Sequence, residues 1–325
     1  MSRSTHFALG IVAALVGAMG APASASDSYP NRPIKIVVPF APGGSTDFAA
    51  RLIGEKLTQR LEQSVVIENR PGAGGSIGAS YAARSEPDGY TLFAGHVGTL
   101  SINPSLYKKL PYEPEKDFIP ISAVVTAPLV LVTNPKSNIQ TVSQLIEKAK
   151  QSKNGLTYST AGAGSAAHLA SELFVDMTGI PATHVPYKGA SLATNAVVAG
   201  EVDFTFGGQA PSQPLIAAGR LRSLGITAME RSPSAPSEPV IAETVKGYEV
   251  QNWHGIVVPA GTPAAIVDRL NKEITDILKT PEVRADLAKH GYEAIPMSSE
   301  AFGRLIASER KKWKTVIERA GLSLE

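Results

Sequence analysis

One pattern recurs along this chain and narrows the fold more than any other feature. A short β-branched run ends in a glycine-rich turn, and a segment of helical period follows. "IKIVVPF" leads through "APGGST" to "DFAARLIGEKLTQRL", and "SVVIENR" through "PGAGGS" to "IGASYAAR". "GYTLFAG" leads to "HVGTL", and "GLTYST" through "AGAGS" to "AAHLASELFVDMTG". "ATHVPY" leads through "KGAS" to "LATNAVVAGE", and "VDFTFG" through "GQAPS" to "QPLIAAG". Alternating short strands and helices predict an α/β fold with mainly parallel sheets, because parallel strands need crossovers and helices supply them. In the first helix Phe48, Leu52, Ile53, Leu57 and Leu61 make one apolar stripe, with Arg51 and Glu55 expected to pair outside it.

The repeats fall into two groups, one before about residue 125 and one from about 135 to 228. Between them "DFIPISAVVTAPLVLVTNP" is a long apolar run without a helix signal, suited to cross between lobes. "YEVQNWHGIVVPAGTP" follows the proline-rich "SPSAPSEP" and is suited to return. Two helices, "PAAIVDRLNKEITDILKT" and "SSEAFGRLIASERKKWKTVIERA", then close the chain. The expected organisation is 26–125 with 250–325 as one lobe and 126–249 as the other. Two crossing strands form a hinge, and ligand sites favour such interfaces.

Residues 1–25 read as a secretory signal: Arg3 and His6, then the apolar "FALGIVAALVGAMG", then "APASA" with Ala23 and Ala25 in an A-x-A cleavage pattern. The apolar core is shorter than the roughly 20 residues that span a bilayer. The protein is therefore expected in the periplasm after cleavage near Ala25. With no cysteine, thiolate catalysis, disulfides and cysteine metal sites are excluded. A net charge of +2 points to no nucleic-acid partner. The histidines have no paired metal spacing, and no cofactor is expected.

Strand C-terminal ends carry the ligand crevice in open parallel sheets, and helix N-termini bring unpaired amides and partial positive charge there. Glycines let a ligand approach those amides. "PGGST" thus reads as an anion cradle, with Ser45 or Thr46 capping the helix. No arginine lies inside the glycine loops, and Lys188 is the one basic residue in them. A carboxylate would be held by amides, hydroxyls and dipoles, at Gly43–Ser45 and Gly164–Ser165. His168, three residues after Ser165, faces either the crevice or the core. Asp47 reads as a first-turn acid and Asp203 as a strand-start polar residue; in a crevice either would order a water or accept an ammonium.

Two enzyme readings compete. "GAGSAA" fits a dinucleotide pattern, but the next strand offers no acid. "GGSIG" matches a hydrolase elbow, which makes a secreted serine hydrolase using Ser76, with Asp203 and His254 as partners, the alternative. The strand, however, ends near Asn69, with Pro71 before the serine. No Walker lysine follows any glycine loop.

The stretches "YPNRPIKIVVPFAPGGSTD", "VVIENRPGAGGSIGA", "PDGYTLF", "INPSLYKKLPYEPEKDFIPI", "VPYKGAS", "GEVDFTF" and "WHGIVVPAGTP" resemble, in order, the Bug family of periplasmic solute-binding proteins of tripartite tricarboxylate transporters. The resemblance implies a non-enzymatic receptor with a two-lobed type II periplasmic binding protein fold. A carboxylate lies between lobes that close on it, gripped by two loops, partly through ordered waters. Those loops correspond here to Phe40, Gly43, Gly44, Ser45, Thr46 and Asp47, and to 161–165 with Ala163, Gly164 and Ser165. Further contacts are implied near Ser76, near His96 and Thr99, at Tyr187 and Gly189, and at Asp203 and Gln209. The implied partners are a small carboxylate ligand and the membrane subunits of a transporter, or else a sensor kinase, for a monomeric receptor.

Overall fold

A computed structural model of the chain describes residues 29–162, 164–187, 189–231 and 238–325. The expected signal peptide, Ala163 and Lys188 lie outside the described residues. The β-branched runs form strands and the glycine turns lead into helices. β1 (Ile34–Val38) precedes α1 (Ser45–Leu61), and β2 (Val65–Asn69) precedes α2 (Ser76–Ala83). β3 (Thr91–His96) runs into a π-helical turn at Gly98–Ile102, α3 (Asn103–Leu106) and α4 (Pro114–Asp117). β4 (Phe118–Thr133) is the long apolar run drawn out as one strand. Then follow α5 (Val142–Gln151), β5 (Leu156–Thr160), α6 (Ala166–Thr178), β6 (Ala182–Pro186) and α7 (Ala190–Ala199). β7 (Phe204–Gly208), α8 (Gln209–Ala217) and β8 (Arg222–Ile226) complete the second group. β9 (Gln251–Pro259) returns, and α9 (Ala264–Lys279), α10 (Pro281–Lys289), the two-residue β10 (Glu293–Ala294) and α11 (Ser299–Arg319) end the chain.

The strands join in the order β2-β1-β3-β9-β4-β7-β5-β6, with β8 and β10 also pairing β4. Pairing is parallel among β2, β1 and β3 and among β6, β5 and β7, as the alternating pattern requires. Around β4 and β9 it is antiparallel, because both are crossings that run in opposite directions. The expectation of mainly parallel sheets therefore holds for the flanks and fails at the centre. α10 and β10 lie in a stretch that the two-helix reading of the C-terminus passed over.

β4 joins the two lobes. Phe118–Pro128 pairs with β9, and Leu129–Thr133 pairs with β7. His96 at the end of β3 stands opposite His254, which stands opposite Val125; Gly208 at the end of β7 stands opposite Leu129. The C-terminal strand ends of the two lobes thus reach β4 only four positions apart (129 − 125). Everything that begins where those strands stop is gathered at one boundary.

Three apolar layers hold this frame. α1 and α9 cover one face of the first lobe with Ile53, Leu57, Leu270 and Ile274 against Ile36, Leu92 and Ile256. α7 packs Ala196 and Val197 on Val130 and Val132. The third layer is continuous across the boundary. Phe93, Trp253 and Phe302 from one side share it with Phe174, Phe204 and Phe206 from the other. α11 ties the two, with Trp313 only 1% exposed and Arg319 reaching Asp176 of α6 at 3.2 Å. The α1 stripe is buried as its period predicts, apart from a partly covered Phe48. Arg51 does not pair with Glu55; it turns back to Asp47 at 2.8 Å.

Trp313→Ala is expected to destabilise the fold by about 3–5 kcal/mol, the usual cost of truncating a buried aromatic in a layer that cannot collapse around the gap. Urea unfolding measures it; a loss below about 1 kcal/mol would mean that α11 is not part of the shared core.

Candidate functional site

The described stretches at the boundary include 39–44 before α1, 70–75 before α2, 97–98 after β3, 161–162 with 164–165 before α6, and 187 with 189 before α7. The first is organised by an acid that never faces outward. Asp47 is 3% exposed and accepts hydrogen bonds from the Gly43 amide (2.9 Å), Arg51 Nε (2.8 Å) and Asn69 Nδ2 (2.8 Å). Asn69 Nδ2 also donates to the Phe40 carbonyl at 2.9 Å. Asn69 reaches the loop because β2 runs beside β1, with Asn69 opposite Val38. Burial alone would raise the Asp47 carboxyl, but donors from Arg51, Asn69 and Gly43 outweigh it and hold its pKa below the ordinary range. Asp47 is thus the loop's internal anchor.

The expected cap at Ser45 or Thr46 is not formed. Gly44 is the N-cap, without a side-chain cap. Thr46 Oγ1 points elsewhere, 3.1 Å from His254 Nδ1. The first helical bond is Phe48 N–H to the Gly44 carbonyl. The amides of Gly44, Ser45, Thr46 and Asp47 have no acceptor among the described residues. Of the expected cradle, Gly44 and Ser45 keep free amides, and the Gly43 amide is taken by Asp47.

The loop 161–165 is held in the same manner by different chemistry. Ser165 caps α6, accepting from the His168 amide at 3.2 Å. His168 Nδ1 accepts the Gly164 amide at 3.1 Å, and its Nε2 faces Glu172 at 3.4 Å. His184 stacks on His168 at 4.1 Å and holds Thr160 Oγ1 at 2.6 Å, which in turn accepts the Gly162 amide. Ser165 N–H donates to the Gly162 carbonyl at 3.2 Å. The Gly164 and Ser165 amides are therefore spent within the loop. His168, 2% exposed, lies in the core beneath the loop, one of the two places open to it. Gly164 rests on the other lobe: a Cβ there would lie 2.5 Å from Leu106 Cδ2.

Around the first loop the lobe supplies Phe40, Ser76, His96 and Thr99. The Phe40 ring lies 4.8 Å from the His96 ring, and a Cβ on Gly75 would touch Thr99 Cγ2 and approach Phe40. Gly98 must be glycine for His96 to fold over it, since a Cβ would sit 2.1 Å from the ring. Gly98 N–H donates to His96 Nδ1 at 2.7 Å. Burial, and for His96 also the facing His254, pushes His96 down to about 3; burial pushes His254 to about 4.

Two expected residues are not gathered here. Asp203 lies at the opposite end of the strands, before β7, where it accepts from Thr157 N (2.8 Å) and Thr157 Oγ1 (3.0 Å). As a strand-start residue it is placed by register, away from the crevice. The Tyr187 phenol turns to Glu201, beyond the far end of α7, at 3.3 Å, although its backbone lies at the boundary. Gln209 opens α8, and Gly189 caps α7 with open space before it. The hydrolase grouping is not assembled: His254 is engaged with Thr46 and Asp203 with Thr157, and neither bonds Ser76. Asn69, Leu106 and His254's tie to Thr46 were not visible in the sequence, because each depends on strand register or on the approach of the two lobes.

The comparisons with known proteins agree with this architecture. Residues 49–322 match the tripartite tricarboxylate transporter family receptor, TctC, and the chain belongs to that family. It is 36% identical over 321 residues to Protein BugT of Bordetella pertussis, covering 98% of this chain and 97% of that one. It resembles the structure of R. palustris Rpa4515 with adipate, at TM-score 0.82 and 36% identity, covering 91% of this chain and 99% of that one. It also resembles MatC (Rpa3494) from Rhodopseudomonas palustris with bound malate, at TM-score 0.77 and 32% identity, covering 89% and 100%. The fold is the two-lobed α/β binding-protein fold of these receptors.

The buried imidazoles make stability depend on pH. An unfolded histidine takes up its proton near pH 6.5, whereas His96 and His254 resist to about 3 and about 4. Below pH 6.5 the unfolded state binds more protons, so this stabilisation is full above about 6.5 and is lost as pH falls toward 4. The urea midpoint should fall between pH 7 and pH 4.5, and less steeply in His254→Phe. Equal slopes in the two proteins would show that His254 is not held neutral.

Proposed function

We propose that this chain is an exported receptor that captures a small carboxylate between its two lobes and delivers it to the membrane subunits of a tripartite tricarboxylate transporter. The start of α1 carries the reading. Consecutive amides from Gly44 to Asp47 have no acceptor among the described residues, at the positive end of a 17-residue helix, with nothing within 4 Å of a Cβ on Gly43 or Gly44. An anionic oxygen is what such a helix end binds. The nearby acid does not oppose it, since the Asp47 charge is matched by Arg51. One helix end contributes about 0.3–1 kcal/mol, up to about 2 when partly buried. Micromolar capture needs about 8, so the second lobe must close on the ligand. Adipate in Rpa4515 and malate in MatC support the ligand class.

The lobes in this reading are 26–125 with 250–325, and 126–249, hinged where β4 and β9 cross. The ligand contacts are Phe40, Gly44, Ser45, Thr46, Ser76, His96 and Thr99 on one side, with the 161–165 loop, Gly189 and Gln209 on the other. The protein works in the periplasm as a monomer, after signal cleavage near Ala25. Among the described residues no helix is long and apolar enough to cross a membrane.

A thermal-shift screen of organic acids should find at least one stabilising carboxylate, by about 2.7 kcal/mol at one hundred times Kd, and its methyl ester should lose most of the shift. Gly44→Val is the clean probe of the cradle. Its φ of −85° and ψ of 172° suit valine, and the new side chain meets open space. It should weaken binding at least about tenfold while Tm moves by no more than a few degrees. Gly164 is a poorer probe, because its φ of +77° and Leu106 make any side chain disruptive. An ester that binds like its acid, or a Gly44→Val protein that binds normally, refutes the cradle.

Ligand that touches both lobes favours the closed state by its differential contacts. Small-angle scattering at saturating ligand should show compaction. An unchanged profile with saturation proven by calorimetry counts against a hinge at β4 and β9.

A further inference from the structure

We propose that His254 and His96 form a second recognition point of the ligand site, a pair of neutral imidazoles that takes a hydrogen-bond-accepting oxygen on the ligand beyond the carboxylate held at α1. The inference rests on the carboxylate-receptor reading above and adds which carboxylates are chosen.

The two residues are directly opposed on β3 and β9. Their rings, 6.0 Å apart, continue the sheet face on which Leu92, Ala94, Ile256 and Val258 are packed beneath α1. At the strand ends that apolar face gives way to two imidazoles. Thr46 connects them to the anion cradle: its free amide belongs to the first turn of α1, and its hydroxyl lies 3.1 Å from His254 Nδ1.

The hydrogen bonds fix what His96 offers and allow His254 to offer the same. Gly98 N–H donates to His96 Nδ1, so the neutral ring carries its proton on Nε2. The Thr46 hydroxyl can rotate to donate to His254 Nδ1, which leaves a proton on His254 Nε2 as well. Both Nε2 atoms are buried and have no partner among the described residues, and His254 is 3% exposed. The buried histidine beneath the second loop is not left this way. His168, in the other lobe, has its Nδ1 bonded to Gly164 N–H and its Nε2 facing Glu172. Buried polar groups left unpaired are costly and uncommon, and point to an acceptor supplied from outside the fold.

The acceptor is an oxygen of the ligand itself, because the pair adjoins the cradle that holds the ligand's first carboxylate. In this proposal Phe40 is the cover: its ring centroid lies 4.8 Å from that of His96 and Phe40 is part-exposed, so the ring must move aside for a ligand oxygen to reach Nε2. Uncharged imidazoles discriminate by hydrogen bonding rather than by long-range charge. A site built to bond an oxygen rejects the analogue that lacks it, because its own donors are then left buried and unpaired. Short dicarboxylic and hydroxy acids are therefore preferred over plain monocarboxylic acids.

Calorimetric titration of the mature protein with adipate, 2-hydroxyhexanoate and hexanoate tests this. The three share chain length and the first carboxylate; only the first two carry a further oxygen group. At least one of them should bind roughly tenfold or more tightly than hexanoate. That ratio should fall to within about twofold in His254→Phe and His96→Phe, and His254→Gln, which keeps a donor, should retain most of it. Whichever of adipate and 2-hydroxyhexanoate is favoured identifies the group as carboxylate or hydroxyl. Should the phenylalanine variants fail to fold, nitrogen-15 spectra of histidine-labelled native protein give the same answer: the favoured acid must shift the Nε2 resonances of His96 and His254, and hexanoate must not. Unchanged ratios in both folded variants, or no such shift, overturn the imidazole pair and leave the receptor reading intact. If no acid binds the native protein at all, both fall.

Discussion

The antiparallel pairing of β4 with β9 is the constraint on which the rest of the molecule depends. β4 is a 16-residue strand that belongs to both lobes, and β9 runs back beside its first part. The pairing is not regular: its register shifts between Pro120 and Ser122 and again between Ala123 and Val125. Such bulges bend a strand and increase its local twist. They let one strand serve two sheets that need not share a plane. Because β3 reaches β9 through His96–His254 and β7 reaches β4 through Gly208–Leu129, register alone decides that two sets of loops far apart in sequence open toward one boundary.

Each lobe then solves the same problem with a different set of side chains. A helix N-terminus attracts an anion only if nothing nearby cancels its field. In the first lobe the acid that anchors the loop is itself neutralised by Arg51 and saturated by Asn69 and Gly43. In the second lobe the anchor is an imidazole, His168, backed by Glu172, which also accepts from the Tyr158 hydroxyl. Both arrangements fix the loop backbone through buried side-chain bonds. The outcome differs in one respect. α1 begins with a run of amides unspent among the described residues, whereas the Gly162, Gly164 and Ser165 amides are consumed internally. In the proposed reading the first lobe offers the helix amides, and the second must close on the ligand to complete the affinity.

In the proposed reading no arginine fork is required. Helix amides and neutral donors attract a carboxylate over a short range only, so the site does not depend on a strong surface field. Net charge of +2 over 325 residues is consistent with that economy. The cost is that positions matter more than residue types. Open space lies in front of Gly44, and Gly98 lets the His96 ring fold over the chain.

What the sequence determined by itself was local. Hydrophobic period and glycine turns identified the strand-to-helix units, the crossing run that became β4, and the α1 stripe of Leu52, Ile53, Leu57 and Leu61. The glycine loops before α1 and α6 were recognisable as candidate anion turns because residue type and spacing suffice for that. Tertiary structure decided the rest. It turned Arg51 from Glu55 to Asp47, made Asp47 an anchor through Asn69, and set Asp203 at the wrong end of its strand for a crevice residue. It put His254, cast from the sequence only as a partner for Ser76 in the hydrolase alternative, beside Thr46 and opposite His96. None of these follows from spacing, because each joins residues whose distance is fixed by strand register and by the packing of α1 on the sheet. Period tells which face of an element is buried; only the assembled sheet tells what it is buried against.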